Sequence, residues 1–195
     1  MQWLETRLSS HKEASGEQLR MLEVGALSTQ NACSKSDYFD IERIDLNSQE
    51  EGILQQDFME RPLPKGNAEK FDIISLSLVL NFVPDPQGRG EMLRRTTQFL
   101  FDPGRYITSL PFSPSFPCLF LVLPAPCVTN SRYMDEERLT GIMTSIGYTL
   151  TESKTTQRLV YFLWRKESNC PVKSSFPKKE LRLGSFRNNF AIVLK

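Results

Sequence analysis

The sequence is poor in the residues from which metal sites and nucleophilic active sites are built. It contains one histidine, His11, and its four cysteines, Cys33, Cys118, Cys127 and Cys170, show no C-x-x-C spacing. Protein zinc sites use such residues in closely spaced sets, so we expect no metal site. His11 lies in a polar N-terminal segment, which argues against a Ser-His-Asp triad. No histidine or basic neighbour is available to lower the pKa of Cys118 or Cys127, so we interpret both as core thiols.

Two kinds of targeting segment are also missing. No uncharged apolar run reaches the ~18 residues of a membrane span. Residues 1–5 lack the basic flank and long apolar stretch of a secretory signal. We therefore expect an intracellular protein with reduced thiols and no membrane partner. A length of 195 residues suits one domain, and 39% apolar with 24% charged residues is an ordinary globular composition.

The charge of the chain is small in total but unevenly placed. The net charge is +1, yet residues 166–195 hold seven Lys or Arg and only two Glu. We therefore divide the chain into a domain at 1–165 and a basic C-terminal extension at 166–195. Such an extension indicates a polyanionic partner, although a solvated tail without a partner explains the same composition equally well.

Four apolar stretches in the first half of the chain each end in a small or polar residue, as the strands of a parallel sheet do. They predict strands at 21–25, 39–46, 53–58 and 71–80, and the second half adds 119–123, 148–152 and 159–164. A glycine closes the first strand, and an aspartate closes the second twenty residues later. This layout predicts a doubly wound α/β sheet that holds an adenosine-bearing ligand at the carboxyl ends of its strands.

Helical segments are expected between the strands. Residues 1–20 have a polar helical pattern, and Ser28 or Thr29 can cap a helix after the first strand. The helix after the 84–88 turn faces inward with Met92, Leu93, Thr96, Phe99 and Leu100, and outward with Arg89, Arg94 and Arg95. A second apolar stripe, Leu139, Ile142, Met143 and Ile146, ends at Gly147. The proline-rich 101–117 stretch is not expected to form a core element.

Gly25 is the first candidate ligand residue, because a glycine after a strand lets the backbone approach a ligand closely. A full glycine signature would read acidic-x-Gly-x-Gly-x-Gly, and Glu23, Gly25, Leu27 and Thr29 occupy those positions. Two of the three glycines are therefore missing. A turn glycine without a ligand is the alternative interpretation.

Asp45 is the stronger candidate. A carboxylate at the end of the second strand can accept hydrogen bonds from both hydroxyls of a ribose, each worth about 1.5–3 kcal/mol. The alternative is that Asp45 caps a helix over residues 47–50.

The third and fourth strand ends supply the remaining candidates. Asp57 can accept from the exocyclic amine of an adenine and Phe58 can line its ring, unless they are a loop aspartate and a core phenylalanine. Ser77 ends the fourth strand on the cofactor side. Beyond it, Asn81 can read the edge of a planar heterocycle and Phe82 can stack on it. Their alternatives are a turn residue and a core aromatic.

The two strands predicted at 148–152 and 159–164, together with a set of sequence motifs, resemble one family. The motifs are 22–25, 44–49, 56–59, 71–84, 89–93, 124–134 and 187–190. They closely resemble the fungal nucleolar methyltransferases that methylate N1 of an adenine in large-subunit (25S) ribosomal RNA. The resemblance implies a seven-stranded, mostly parallel sheet of the class I S-adenosylmethionine-dependent type with an antiparallel last strand. It also implies S-adenosyl-L-methionine as cofactor at Gly25 and Asp45, ribosomal RNA as partner, and a place in the nucleus and nucleolus during ribosome biogenesis.

Two other functions remain open at this point. Animal relatives in the same family look like non-catalytic S-adenosylmethionine sensors that bind a signalling protein complex, and a small-molecule methyltransferase is a third interpretation. The basic extension, with Arg89, Arg94 and Arg95, favours RNA. Family members also carry a glycine-rich segment with Arg and Asp before the first strand. We expect this chain to be an N-terminally shortened form without it.

Overall fold

The computed structural model describes residues 18–106, 115–168 and 174–195. The expected N-terminal helix at 1–20 falls mostly outside these ranges, and its last two residues already belong to the first strand. Much of the proline-rich stretch and Cys170 also lie outside them.

Seven strands form one mixed sheet in the order β3-β2-β1-β4-β5-β7-β6. Their bounds are β1 Leu19–Val24, β2 Phe39–Asp45, β3 Leu54–Gln55, β4 Ile73–Ser77, β5 Cys118–Pro124, β6 Tyr148–Thr155 and β7 Leu159–Lys166. The first five are parallel, and β7 runs antiparallel to both β5 and β6. The predicted fold class, with its antiparallel closing strand, is confirmed.

Burial of the strands differs between the centre of the sheet and its β3 edge. The central strands β4 and β5 are apolar and buried on both faces, whereas β3 at the edge has two exposed residues. The strongest predicted strand, 71–80, is shorter than expected. It ends at Ser77 because Leu78 has a φ of 60°, which breaks the extended conformation.

In the part of the chain that the structure describes, three α-helices pack on one face of the sheet: α1 Pro86–Phe99, α2 Pro126–Thr129 and α3 Glu136–Ser145. Asp85 caps α1 by accepting from the Gly88 N–H at 2.7 Å, and Asp135 caps α3 by accepting from the Arg138 N–H at 2.8 Å. The predicted apolar stripes of both helices are buried. Gly147, with φ of 94°, ends the α3 segment as expected.

The helix predicted after β1 is a correction. Only a single 3-10 turn, Ala32–Lys35, follows that strand, and neither Ser28 nor Thr29 caps it. Thr29 instead donates its backbone N–H and its hydroxyl to the Glu50 carboxylate. A short polar side chain that bonds a neighbouring loop competes with the helical backbone for the same groups.

The end of the chain packs on the body of the protein. Four of the last six residues are buried: Phe190, Ala191, Ile192 and Leu194. The side chains of Ile192 and Leu194 belong to the same apolar cluster as Met92 and Leu93 of α1. Gly90 on α1 makes room for this segment, because a Cβ there would lie 2.0 Å from the Val193 carbonyl oxygen. The solvated-tail interpretation is therefore wrong for residues 190–194. Within the described ranges, no helix is long and apolar enough to cross a membrane.

Candidate active site

Three of the predicted site residues meet at the carboxyl edge of the sheet. Val24 of β1 pairs with Ile44 of β2 and with Leu76 of β4, and this is the last row of residues paired across these three strands. Gly25, Asp45 and Ser77 follow these residues directly, so the register places them side by side. Ser77 is exposed there. The sequence-based expectation that these strand ends converge is confirmed by the pairing.

Gly25 holds the loops after β1 and β4 in contact. Its φ is 74°, and its N–H donates to the Ile44 carbonyl at 2.8 Å. A Cβ at this position would lie 2.4 Å from Cγ2 of Val79. Both the backbone conformation and the close approach therefore require glycine. The neighbour that demands the space is Val79, so a contact between Gly25 and a ligand stays a prediction.

Asp45 shapes a turn and keeps one oxygen for another partner. Its Oδ1 accepts from the Asn47 N–H at 2.7 Å. No helix begins at residues 47–50, so the helix-cap interpretation is wrong and the bond closes an Asx turn. The other carboxylate oxygen has no hydrogen bond to a described residue. That geometry leaves an acceptor at the strand end, as a ribose hydroxyl needs.

The loop after β1 is tied to the loop after β2 by side chains. The Thr29 N–H donates to Oε1 of Glu50 at 2.8 Å. Gly52 lies close to Thr29, because a Cβ at position 52 would be 3.2 Å from Cγ2 of Thr29. The Thr29 hydroxyl and N–H lower the pKa of Glu50. Glu23, in the signature position, turns inward and pairs with Arg43 at 3.6 Å.

Phe58 corrects one sequence-based expectation. Its side chain is 2% exposed and packs on Phe99, with ring centroids 5.3 Å apart. The ring is therefore a core side chain and does not line an adenine face. Asp57 closes a turn by accepting from the Met59 N–H at 2.7 Å, and its contact with an adenine amine stays a prediction.

The loop after β4 has the opposite character. Phe82 is 79% exposed, so the core alternative for this aromatic is wrong. The Asn81 Oδ1 is buried and has no hydrogen-bond partner in the described structure. An unsatisfied buried carbonyl costs about 1–3 kcal/mol, and Leu78 nearby holds a positive φ. Such local costs cluster at sites where a ligand binds.

The arginines of α1 are a second correction. Arg89 is buried: its Nε donates to the Val83 carbonyl, its Nη1 donates to the Ala191 carbonyl, both at 2.8 Å, and its guanidinium lies 4.6 Å from the Phe190 ring centroid. Burial lowers its pKa from the usual arginine value. Arg95 donates to the carbonyls of Phe58 and Arg61.

These contacts take Arg89 and Arg95 out of the set of RNA-facing residues. Arg94 remains half exposed beside Glu91 and the Lys195 carbonyl. The sequence pattern could not separate the three, because their partners lie far away along the chain.

The described cysteines behave as core residues. Cys33, Cys118 and Cys127 are free and buried. Burial raises the pKa of Cys33 and of Cys127 to about 11. A thiol with a raised pKa is a poor nucleophile, so the expectation for Cys118 and Cys127 is confirmed.

Fold and strand-end geometry define a class I methyltransferase fold. The N-methyltransferase NodS from Bradyrhizobium japonicum WM9, solved with S-adenosyl-L-homocysteine, superimposes with a TM-score of 0.51 at 14% identity over 84% of this chain and 86% of NodS. The DhpI–SAH complex gives a TM-score of 0.54 at 12% identity over 86% of this chain and 88% of DhpI.

Sequence relatives then specify the family. Residues 1–192 match the family model of "25S rRNA (adenine(2142)-N(1))-methyltransferase, Bmt2", and the chain belongs to this family. It is 42% identical over 175 residues to the Saccharomyces cerevisiae protein of that name, covering 89% of this chain and 48% of the relative. The Schizosaccharomyces pombe "25S rRNA adenine-N(1) methyltransferase" is 41% identical over 172 residues, covering 88% and 59%. The chain thus spans about half the length of these relatives.

Proposed function

We propose that this chain is the S-adenosylmethionine-dependent methyltransferase part of an enzyme that methylates N1 of an adenine in large-subunit (25S) ribosomal RNA. Both curated relatives carry that activity in their names. The carrying observation is the register that sets Gly25, Asp45 and Ser77 side by side, with the Asn81–Phe82 loop directly beyond. Neither relative's name supports the sensor alternative.

The cofactor fits the half of the edge formed by β1 and β2. The Asp45 oxygen that the Asx turn leaves unused accepts from the ribose hydroxyls. Gly25 keeps the backbone close and free of side-chain atoms, and Asp57 accepts from the adenine amine. When bound, S-adenosyl-L-methionine supplies an electrophilic methyl group, whose transfer moves one positive charge to the accepting ring.

The target base fits the half formed by β4. The exposed Phe82 ring offers a face on which an extruded adenine stacks. We propose that binding of the base exposes the buried Asn81 carbonyl oxygen, which then accepts from the exocyclic amine of that adenine and is no longer unsatisfied. This bond strengthens as the ring becomes cationic, so it stabilises the transition state more than the ground state. N1 has a free lone pair, so the step needs no general base, in agreement with the absence of a histidine from the described residues.

A ribosomal RNA substrate supports a location in the nucleus and nucleolus and a role in ribosome biogenesis. The RNA is a polyanion, and the excess of basic residues in 166–195 supports it as partner. Arg89 and Arg95 no longer contribute to that argument, since their guanidinium groups are bonded to carbonyls of the protein.

The test is a methyl-transfer assay with labelled S-adenosyl-L-methionine and a fragment of 25S rRNA, followed by mass spectrometry of the nucleosides. We expect 1-methyladenosine. Asn81→Ala should lower kcat roughly tenfold to a hundredfold with unchanged cofactor affinity, because only the bond to the reacting base is removed. Asn67→Ala, at an exposed turn away from this edge, is the matched control. Methylation at another atom, or of no RNA adenine by a cofactor-bound chain, would contradict the proposal.

A further inference from the structure

A loop near the end of the chain presents two large apolar side chains to solvent. Phe186 is 96% exposed and Leu183 is 81% exposed, and the exposed fraction of Leu183 is similar to that of Phe82, 79%. We call residues 182–188 the C-terminal loop. A fully exposed phenylalanine lacks the stabilisation of about 1.5–3 kcal/mol that burial of its side chain would give. Contact with a binding partner would supply that stabilisation.

The C-terminal loop is held firmly, which sets it apart from a frayed tail. Both of its ends bond to the Asn130–Arg132 segment that follows α2. The N–H groups of Leu181 and Arg182 donate to the Arg132 carbonyl at 2.8 and 3.3 Å, and the Arg132 N–H donates to the Asn188 carbonyl at 3.0 Å. The loop therefore holds its exposed tip in place.

Bonds within the C-terminal loop fix the tip itself. The Arg132 guanidinium donates to the Gly184 carbonyl at 3.0 Å, and the Asn130 amide donates to the Phe186 carbonyl at 3.2 Å. The Arg187 Nε donates to the Leu183 carbonyl at 2.8 Å. An aromatic ring on so constrained a backbone loses little conformational entropy when a partner stacks on it.

The C-terminal loop stands at the same edge of the sheet as the target-base site. Residues 125–132 follow the carboxyl end of β5, and β5 is the parallel neighbour of β4, which leads into Asn81 and Phe82. After the C-terminal loop, the Val193 N–H donates to the carbonyl of Pro86. Pro86 is the first residue of α1 and directly follows the loop after β4. The two exposed phenylalanines thus belong to neighbouring loops of one edge.

The charge around the C-terminal loop is positive. Residues 178–187 contain four Lys or Arg and one Glu. Arg182 is occupied, since its Nη1 donates to three backbone carbonyls. Lys178 and Lys179 are exposed, and Arg187 lies beside the tip. Exposed aromatics among basic side chains are the composition of a single-strand nucleic-acid surface, whereas a protein interface is depleted in lysine.

We propose that the C-terminal loop is an RNA-binding platform: a nucleobase flanking the target adenine stacks on Phe186, while the exposed Lys178 and Lys179 contact phosphates. The inference rests on the proposed function, because it assumes RNA at this edge. It adds a second stacking position, distinct from that of the reacting base on Phe82.

The test measures binding of a short fluorescein-labelled single-stranded RNA to the full chain by anisotropy at several salt concentrations. Phe186→Ala should weaken binding about five- to one-hundred-fold with an unchanged salt slope, because stacking carries no charge. Phe186→Trp should retain the affinity. Lys179→Ala should weaken binding and reduce the slope of log affinity against log salt by about 0.7.

Matched controls are Leu63→Ala, an exposed apolar residue of the loop after β3, and Lys154→Ala on the edge strand β6. Both should bind RNA as the parent does. Cofactor binding, measured by calorimetry, should be the same for all variants. If Phe186→Ala binds RNA with the affinity of the parent, the hypothesis that the C-terminal loop binds RNA is wrong, and a protein becomes the alternative partner of the loop. The proposed function is not affected by that result. If the cofactor-bound parent binds no RNA at any salt, the proposed function and the platform both fail.

Discussion

The carboxyl edge of the sheet has two halves that are built differently. In the half beyond β1 and β2, the hydrogen bonds between the loops join residues 21 or fewer positions apart: Thr29 to Glu50, and Asp45 to Asn47. In the half beyond β4 and β5, they join residues much farther apart: Arg89 donates to the Ala191 carbonyl, 102 positions away, and the Asn188 amide donates to the Pro126 carbonyl at 2.7 Å, 62 positions away. The first half, the proposed cofactor half, is therefore tied together by shorter sequence separations, and the second, the proposed substrate half, depends on the end of the chain.

This difference teaches that the two halves can be damaged separately. The last residues complete the substrate half, since they cover α1 and carry the C-terminal loop. No hydrogen bond joins residues 182–195 to the loops after β1 and β2 within the described structure. A change at either half should therefore leave the binding property of the other half in place.

The largest effect is expected in the cofactor half. Asp45→Ala should weaken binding of S-adenosyl-L-methionine by about 3 kcal/mol, roughly a hundredfold, because charge-assisted bonds to the ribose are lost. Asp45→Asn keeps an acceptor for the Asn47 N–H, so its affinity separates the charge from the turn. Isothermal calorimetry measures both.

Asp40→Ala, exposed at the opposite end of β2, is the control and should bind the cofactor normally. RNA affinity should be the same in all three variants. A parent-like cofactor affinity in Asp45→Ala would remove Asp45 from the site. A joint loss of RNA binding would show that the two halves are not independent.

The second effect is expected in the substrate half. Gly90→Ala should lower the free energy of unfolding by about 2 kcal/mol, although alanine is the better helix former, because the new Cβ meets the Val193 carbonyl oxygen at 2.0 Å. The end of the chain should lift from α1 and take the C-terminal loop with it. Denaturant unfolding measures the stability, and anisotropy measures a loss of RNA binding.

Cofactor binding should survive in Gly90→Ala, which sharpens the contrast with Asp45→Ala. Gly66→Ala is the matched control, since nothing lies within 4 Å of a Cβ at that position. Unchanged stability in Gly90→Ala would mean that the 190–194 segment is not seated on α1.

The smallest effect concerns the tie within the cofactor half. Bonds from the Thr29 hydroxyl and N–H lower the pKa of Glu50 below its usual 4.5. A carboxyl with a lowered folded-state pKa stabilises the fold above its unfolded pKa, and this stabilisation is lost as pH falls through the folded value. In Thr29→Val the Glu50 pKa should rise toward 4.5, as an NMR titration would show. Thr140→Val on α3 should leave the Glu50 titration as in the parent.

The carboxyl ends of β1 and β2 were predictable to within one residue because they obey local rules. An apolar stretch buried on both faces, closed by Gly25 or Asp45, defines where a parallel strand stops. The apolar stripe of α3 and its end at Gly147 were readable for the same reason, since helix periodicity and helix termination act within a few residues. The helix missing after β1 shows the limit, because a bond from Thr29 to another loop decided that segment.

Side chains with distant partners were not predictable in this way. Phe58 and Phe82 each follow a strand, yet the first packs on Phe99 and the second is exposed. Arg89 and Arg94 share one helix, yet only Arg89 meets the 190–191 segment. Sequence spacing assigns a side chain to a face of its element, but the identity of what covers that face comes from elsewhere in the chain.

The sequence by itself determined that the strands exist and follow one another in this order, the apolar stripes of α1 and α3, and the family. Strands and stripes depend on short-range patterns, and the family depends on motifs that are readable in the sequence. Only the tertiary structure decided which strand-end residues lie side by side, since register is fixed by packing between strands. It also decided that residues 190–194 pack on the core and that the C-terminal loop is bonded to the segment that follows α2. Those contacts join groups up to about a hundred residues apart, a separation at which no local pattern carries information.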